Sequence, residues 1–449
     1  MYVKTQVFFV LGISKSGFAA AEYILKRGGR CFIYEEHDSP RIAEAAEKLL
    51  SQGAERVTGE GAEAAAEKSD VLVISPGVPI NHRVAVKFKE LGKRIVGEAE
   101  FGFSQFFPPV AAITGTNGKT TTVTMLGGML KEAGIDCAAV ENIGLPVCAE
   151  LDKITRDTVC IAEISSFQLE SISDFKPHIA MILNISPDHL ERHYSMENYI
   201  FLKKRLLKNL KESEFAVLNY DDPTVRTFAE NLKAKVIWVS ARENAGGVYL
   251  SGGNICMNGE SIVSADAVPV KGEHNLYNAM FAVAAAKLLG ADNAGIAAGL
   301  KNFRGVPHRV ELIAEKNGVA YYDDSKSTNT ASAITALRSM TRPTVLILGG
   351  SEKGEKYGEL FQAVRLSEVK HTVITGASRY NMFRAAAECG VENVTVTADF
   401  DSAVRIADMF AEDGDAVLLS PACASFDSFR NFEERGEEFR RLVKECTED

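Results

Sequence analysis

The chain has 449 residues, enough for about three domains of ordinary size. Hydrophobic residues make up 46% and charged residues 24%, the balance of a folded globular protein, and no run of about 20 apolar residues is long enough to span a membrane. The 60 acidic and 50 basic side chains leave a formal charge of −10, which disfavours a general nucleic-acid binder but leaves room for a local anion site.

The N-terminal MYVKTQVFFVLG lacks the charged and apolar regions of a secretory signal. The eight cysteines contain no CxxC pair, so reduced thiols in a cytoplasmic protein are expected and a zinc site is not.

In chain order, residues 7–11 (VFFVL), 31–34 and 71–74 are strand candidates, with a helix over 17–27 after the first. Buried apolar runs alternating with helices indicate a parallel sheet with crossovers. FFPPV at 106–110 reads as a linker. A second unit opens with the strand 110–113 and continues through strand candidates 158–164, 179–183 and 216–218. The Gly/Asn-rich stretch 245–260 reads as a β-hairpin excursion, and HNLYNAMFAVAAAKLLG as a helix ending at Gly290. A third unit starts near Pro307, with strands expected at 344–348, 372–375, 395–397 and 416–419 and a charged amphipathic helix over 429–445.

The sharpest motif is GTNGKTT at 115–121, between an apolar strand and an apolar helix. Such a loop aims backbone N–H groups and a helix N-terminus at phosphate, with Lys119 on the outer phosphates and the Thr120 hydroxyl on Mg²⁺. It is shorter than the usual G-x-x-x-x-G-K-[ST]. A plain helix-capping turn is the rival reading. LGISKSG at 11–17 is weaker, because Ser14 replaces the middle glycine of a dinucleotide loop. A nucleotide diphosphate, a dinucleotide or no ligand remain open there, with Glu35 at the end of the next strand as a nucleoside contact.

Glu163 ends a buried strand and is a candidate Mg²⁺ partner for Thr120. His189 and His193 are four apart, a weak hint of a metal pair. Ser195 can cap a helix whose apolar stripe runs Met196, Tyr199, Leu206, Leu210, and Lys203 occupies the missing place on it, while Lys204 and Arg205 fall toward water. A lysine on such a stripe either snorkels out or does chemistry. DDSKSTNT at 323–330 and SPACASFDSFRNFEERG at 420–436 follow strand-like runs and suit ligand-binding loops, though each could be a capping turn.

Taken in order, TGTNGKTT, ENIG (141–144), EISSFQLE (163–170), DHLERH (188–193), YIFLK (199–203), GEHNLYN (272–278), VPHRVE (306–311), DDSKSTN (323–329) and SPACASFDSFRNFEERG resemble the Mur ligases, ATP-dependent amino-acid ligases of peptidoglycan synthesis. The central motifs are shared with folylpolyglutamate synthetases; the third-unit motifs resemble the D-glutamate-adding branch. The resemblance implies an α/β fold of three domains: a Rossmann-like UDP-substrate domain (1–97), a central P-loop ATPase-type domain (98–305) and a Rossmann-like amino-acid domain (306–449). It implies ATP, two Mg²⁺ ions, and the substrates UDP-N-acetylmuramoyl-L-alanine and D-glutamate, joined through an acyl phosphate by a cytoplasmic, monomeric enzyme.

By the same resemblance Gly115, Thr116, Asn117, Gly118, Lys119, Thr120, Thr121, Asn278, Arg309, Asp324 and Lys326 meet ATP. Thr120, Glu163, His189 and a carbamylated Lys203 hold metal, with Lys119, His189 and Lys203 catalytic. Ser14, Lys15, Ser16, Gly17, Glu35, Asn142, Ser165 and Gln168 meet the UDP substrate, and Thr328, Lys353, Ser425 and Phe432 meet D-glutamate. Two readings from other classes stand beside it. A nucleotide-binding regulator would keep GTNGKTT but need neither His189 nor Lys203. A dinucleotide oxidoreductase rests on the first loop alone.

Overall fold

The structure, a computed structural model, describes residues 2–448 other than Asp38, Phe107, Ile143, Gly144, Lys271 and 353–355. The chain forms two compact units, residues 1–303 and 304–449. The first contains two sheets. Five parallel strands, β1 (Val7–Leu11), β2 (Arg30–Tyr34), β3 (Glu55–Arg56), β4 (Val71–Ile74) and β5 (Arg94–Gly97), stand in the order β3-β2-β1-β4-β5.

The run VFFVL explains why β1 is central. Phe8 and Val10 pack against Ala20, Ile24 and Phe101 on one face, while Phe9 and Leu11 pack against Ala62 and Phe88 on the other. A strand covered on both faces needs a continuous apolar run. The strand order reverses between β1 and β4, so the loops that follow them splay apart and leave a crevice at the carboxyl edge.

The second sheet has nine strands: β6 (Val110–Thr114), β7 (Cys137–Glu141), β8 (Val159–Glu163), β9 (Ile179–Ile182), β10 (Phe215–Asn219), β11 (Lys235–Ser240), β12 (Gly247–Ser251), β13 (Asn254–Met257) and β14 (Glu260–Ser264). Their order is β14-β13-β12-β11-β10-β9-β6-β8-β7. The stretch 245–260 does form the expected hairpin, β12–β13, but as part of a three-stranded extension of the sheet and not as an excursion from it. β12 pairs parallel with β11 before the chain turns back through β13 and β14, a long-range pairing that turn residues alone do not signal.

The second unit carries β15 (Glu311–Lys316), β16 (Val319–Asp323), β17 (Thr344–Gly349), β18 (Val369–Thr375), β19 (Val394–Val396) and β20 (Ala416–Leu419) in the order β15-β16-β20-β17-β18-β19. Only the β15–β16 pair is antiparallel. β3, β5, β7, β11 and β15 escaped the sequence reading. The edge strand β3 is two exposed residues long, and β15 is charged and half-exposed, so neither shows an apolar run.

Candidate functional site

β6 lies between β9 and β8, so the loop leaving it sits at the centre of the carboxyl edge, with Glu163 at the end of β8 beside it. Residues 115–118 form a tight loop and the helix Lys119–Glu132 starts at once. Gly118 adopts φ 86°, and a Cβ there would stand 2.1 Å from Asn278 Oδ1, so the position requires glycine. Asn184 pins the loop from the side: its carbonyl accepts from Thr116 N and its Oδ1 from Asn117 N. Lys119 Nζ donates to the carbonyls of Gly115 and Thr116, both at 2.8 Å.

Thr120 Oγ1 donates to Glu163 Oε2 at 2.8 Å, both side chains being buried. An hydroxyl and a carboxylate side by side at the phosphate loop are oxygen donors of the kind Mg²⁺ takes. Thr121 is buried on the same first turn, and Asn278 on the helix Glu273–Leu288 stands against Gly118.

Lys203 is the least ordinary group here. It is 2% exposed; its Nζ donates to Gly115 O at 2.7 Å and Thr114 Oγ1 at 3.2 Å. Burial pushes its ammonium well below the usual lysine range, Lys119 adds to this, and Asp188 and Glu163 oppose it. Ser195 caps its helix, Met196–Lys204, by accepting from Asn198 N. Tyr199, one turn earlier, is buried, and its hydroxyl is 3.1 Å from Thr116 Oγ1.

Arg205 departs from its expected place. It is half-buried and donates to Ile172 O, because the chain tightens into a 3₁₀ turn after Lys204 and swings the side chain inward. The two histidines both pack on the Phe167 ring but differ in surroundings. His189 stands before the short helix Leu190–His193 with φ 51°, its Nε2 3.5 Å from Asp188. His193 is 1% exposed, its Nε2 2.9 Å from Ser166 Oγ, and burial lowers its pKa. It is a core residue.

At the first sheet, a cleft of about 330 Å³ opens where the order reverses, lined by Gly12, Ser14, Glu35, Ser75 and His82 among others. Ser14 precedes the helix Lys15–Lys26. Gly17 cannot carry a side chain, since its Cβ would lie 1.7 Å from Gly12 O. The Glu35 carboxylate is held by backbone, accepting from Ile13 N at 3.0 Å and Glu36 N at 3.1 Å. It braces the loop while lining the cleft.

Asn142 and Ser165 lie at the ends of β7 and β8. Gln168 belongs to the capping box of the helix Ser166–Glu170: Ser165 Oγ accepts from Gln168 N, and Gln168 Oε1 accepts from Ser165 N. The structure brings Asn142, Ser165 and Gln168 into one hydrogen-bonded group.

In the second unit, Asp324 follows β16 and is 1% exposed. Its Oδ1 accepts from Val310 N and its Oδ2 from Ser420 Oγ at 2.6 Å. Burial pushes its carboxyl up to about 6 against the pull of Ser327, Ser420 and Arg309. Lys326 lies over the Phe432 ring at 5.5 Å. Thr328 is half-buried in the same loop, and Ser425 is buried after β20. Lys353 lies outside the described residues.

Arg435 was not singled out from the sequence. Its buried guanidinium donates to Ser325 Oγ and Ser325 O and to Cys423 O, tying the loops after β16 and β20 together. The signal existed: Arg435 shares its buried helix face with Phe439, Leu442 and Val443, as Lys203 does with its stripe.

Together the sheet, the pinned glycine loop and the Thr120–Glu163 pair define a P-loop-type α/β protein. The chain matches the Mur ligase MurD-like N-terminal domain over residues 6–97, the Mur ligase middle domain over 113–286 and the Mur ligase glutamate ligase domain over 308–423. It is 40% identical over 439 residues to the UDP-N-acetylmuramoylalanine–D-glutamate ligase of Pelotomaculum thermopropionicum, covering 97% of this chain and 96% of that one. It is 37% identical to the same-named ligase of Clostridioides difficile, with 99% of each chain covered. Among solved structures, the UDP-N-acetylmuramate-alanine ligase MurC of Thermotoga maritima shares the fold, with TM-score 0.61 at 18% identity over 98% of this chain and 99% of that one. The chain belongs to the Mur ligase family.

Proposed function

We propose that the chain is an ATP-dependent ligase that joins D-glutamate to UDP-N-acetylmuramoyl-L-alanine as a cytoplasmic monomer. The observation that carries this reading is end-to-end similarity to relatives bearing that activity in their names. No helix among the described residues is long and apolar enough to cross a membrane, in keeping with it. The domains run 1–97, 98–305 and 306–449 on this reading.

A carboxylate is a poor electrophile, so the L-alanyl carboxylate first takes the γ-phosphoryl of ATP. The D-glutamate amine then attacks the acyl carbon, and a tetrahedral intermediate expels phosphate to leave the amide. Residues 115–121 hold the phosphates, with Lys119 neutralising charge in transfer. Asn278, Arg309, Asp324 and Lys326 are assigned to ATP. Ser14–Gly17, Glu35, Asn142, Ser165 and Gln168 are assigned to the UDP substrate, and Thr328, Lys353, Ser425 and Phe432 to D-glutamate.

Thr120, Glu163 and His189 fit Mg²⁺, as oxygen donors and an imidazole with a nearby carboxylate. When bound, Mg²⁺ supplies positive charge to the phosphoryl oxygens. Lys203 fits carbamylation: burial favours the neutral amine that CO₂ requires, and the product is an anion beside the metal ligands. The test is phosphate release with UDP-N-acetylmuramoyl-L-alanine and a panel of amino acids. Release strictly dependent on D-glutamate, and not on L-glutamate or a folate, is the expected outcome. A different amino acid preference would replace this reading.

A further inference from the structure

Glu141 ends β7 with a backbone φ of 81° and a buried side chain. A non-glycine residue in this left-handed region must be held there by its surroundings. Its bonds are these: Oε1 accepts from Val147 N at 3.0 Å, and Oε2 accepts from Gln168 Nε2 at 2.6 Å.

With both Glu141 oxygens accepting from N–H groups and Ser165 N able only to donate, the Gln168 amide turns its NH₂ group toward Glu141. Its carbonyl then points the other way and receives Ser165 N at 2.8 Å, Ser165 Oγ at 2.9 Å and Asn142 Nδ2 at 3.4 Å. Asn142 is exposed and gives an N–H to this carbonyl, which leaves its own carbonyl outward. One buried carboxyl thereby anchors two successive amides.

We propose that Glu141 is a positioning residue that sets the hydrogen-bond polarity of the Gln168–Asn142 pair, and through it recognition of the UDP-muramoyl substrate. The proposal rests on the substrate assignment made above for Asn142 and Gln168.

The charged and titratable groups acting on Glu141 are Glu98 and Lys15, and it acts in turn on Cys148 and Cys160. Burial pushes the carboxyls of Glu98 and Glu141 up together. Glu98 is the less fully hydrogen-bonded of the two. Its Oε1 accepts from Cys148 N at 3.1 Å, but its buried Oε2 meets no donor among the described residues, whereas both Glu141 oxygens already accept.

The test begins with Glu141→Gln. An amide there offers one acceptor for two N–H groups, so either Val147 N–H or the Gln168 NH₂ group faces another donor. The expected result is a rise of about tenfold in KM for UDP-N-acetylmuramoyl-L-alanine, the scale of one misplaced buried donor. Calorimetry should find a matching loss in Kd, with kcat and the KM values for ATP and D-glutamate within about twofold.

An unchanged KM in the single variant overturns the proposal, and an equal rise in the KM values for ATP and D-glutamate or a matching fall in kcat reduces Glu141 to a merely structural residue. If Glu141→Gln does not fold, Glu141→Gly suits the left-handed backbone, removes the acceptor and should show the same KM shift. If wild-type protein itself fails to bind UDP-N-acetylmuramoyl-L-alanine, the substrate assignment falls and this proposal with it. Binding by wild type with an unaffected variant defeats the proposal alone.

Discussion

Thr120 on the first turn of the phosphate-loop helix donates to Glu163 at the end of β8, 43 residues away in the chain and 2.8 Å away in space. Replacing Glu163 with Gln leaves the helix cap and the strand in place but removes the charge. Titration of activity against Mg²⁺ should then shift to concentrations at least about tenfold higher, since a hard cation loses an anionic ligand. An unchanged Mg²⁺ dependence would exclude Glu163 from the metal site.

Lys119→Ala should lower phosphate release about a hundredfold, the worth of one transition-state contact of roughly 3 kcal/mol. Its bonds to Gly115 O and Thr116 O lie within its own loop, so the circular dichroism spectrum and thermal midpoint should stay close to wild type.

Lys203→Ala should be far less active, and acetate or formate should restore part of the activity by supplying the missing carboxylate. Lys203→Arg should gain nothing, because a guanidinium carries the wrong sign. Full activity of Lys203→Arg would favour a lysine that serves only to bind Gly115 O.

Asp324 links stability to pH. Its folded pKa of about 6 lies above its ordinary 3.8. A raised carboxyl binds its proton more tightly when folded, so its favourable contribution is complete below about pH 4 and is lost as pH rises through about 6. The loss is on the order of 3 kcal/mol for a shift of this size in a fully buried group. Urea denaturation of wild type and Asp324→Asn at pH 4 and pH 7 checks it: wild type should lose stability relative to the variant between the two. The opposite trend would mean that Ser420 and Val310 hold the ionised form.

Gly17→Ala should destabilise the first sheet by more than about 2 kcal/mol, because its Cβ would strike the backbone Gly12 O, which no side-chain rotation can move away. Gly61→Ala is the control. It begins the helix Gly61–Lys68 with nothing within 4 Å of the added carbon, and should leave the thermal midpoint unchanged or raise it.

The sequence by itself determined the features whose cause is local. VFFVL, VAAI and AVLLS are strands because continuous apolar runs suit sheets covered on both faces, and the helix around Lys203 follows from Ser195 and a stripe of period 3.6. Glycines and a lysine after a strand mark a phosphate loop wherever they fall. The tertiary structure alone decided what meets on the buried faces. Periodicity says that Arg205 leaves the apolar stripe, yet a tightened turn carries it inward to Ile172. The part played by Arg435 depends on Ser325, 110 residues distant. Glu141 reads in the sequence as one acid before an asparagine. Val147 reaches one of its oxygens through the local turn, but only the folding of β7 beside β8 brings Gln168 to the other, and a buried hydrogen-bonding group takes its role from partners that chain order does not reveal.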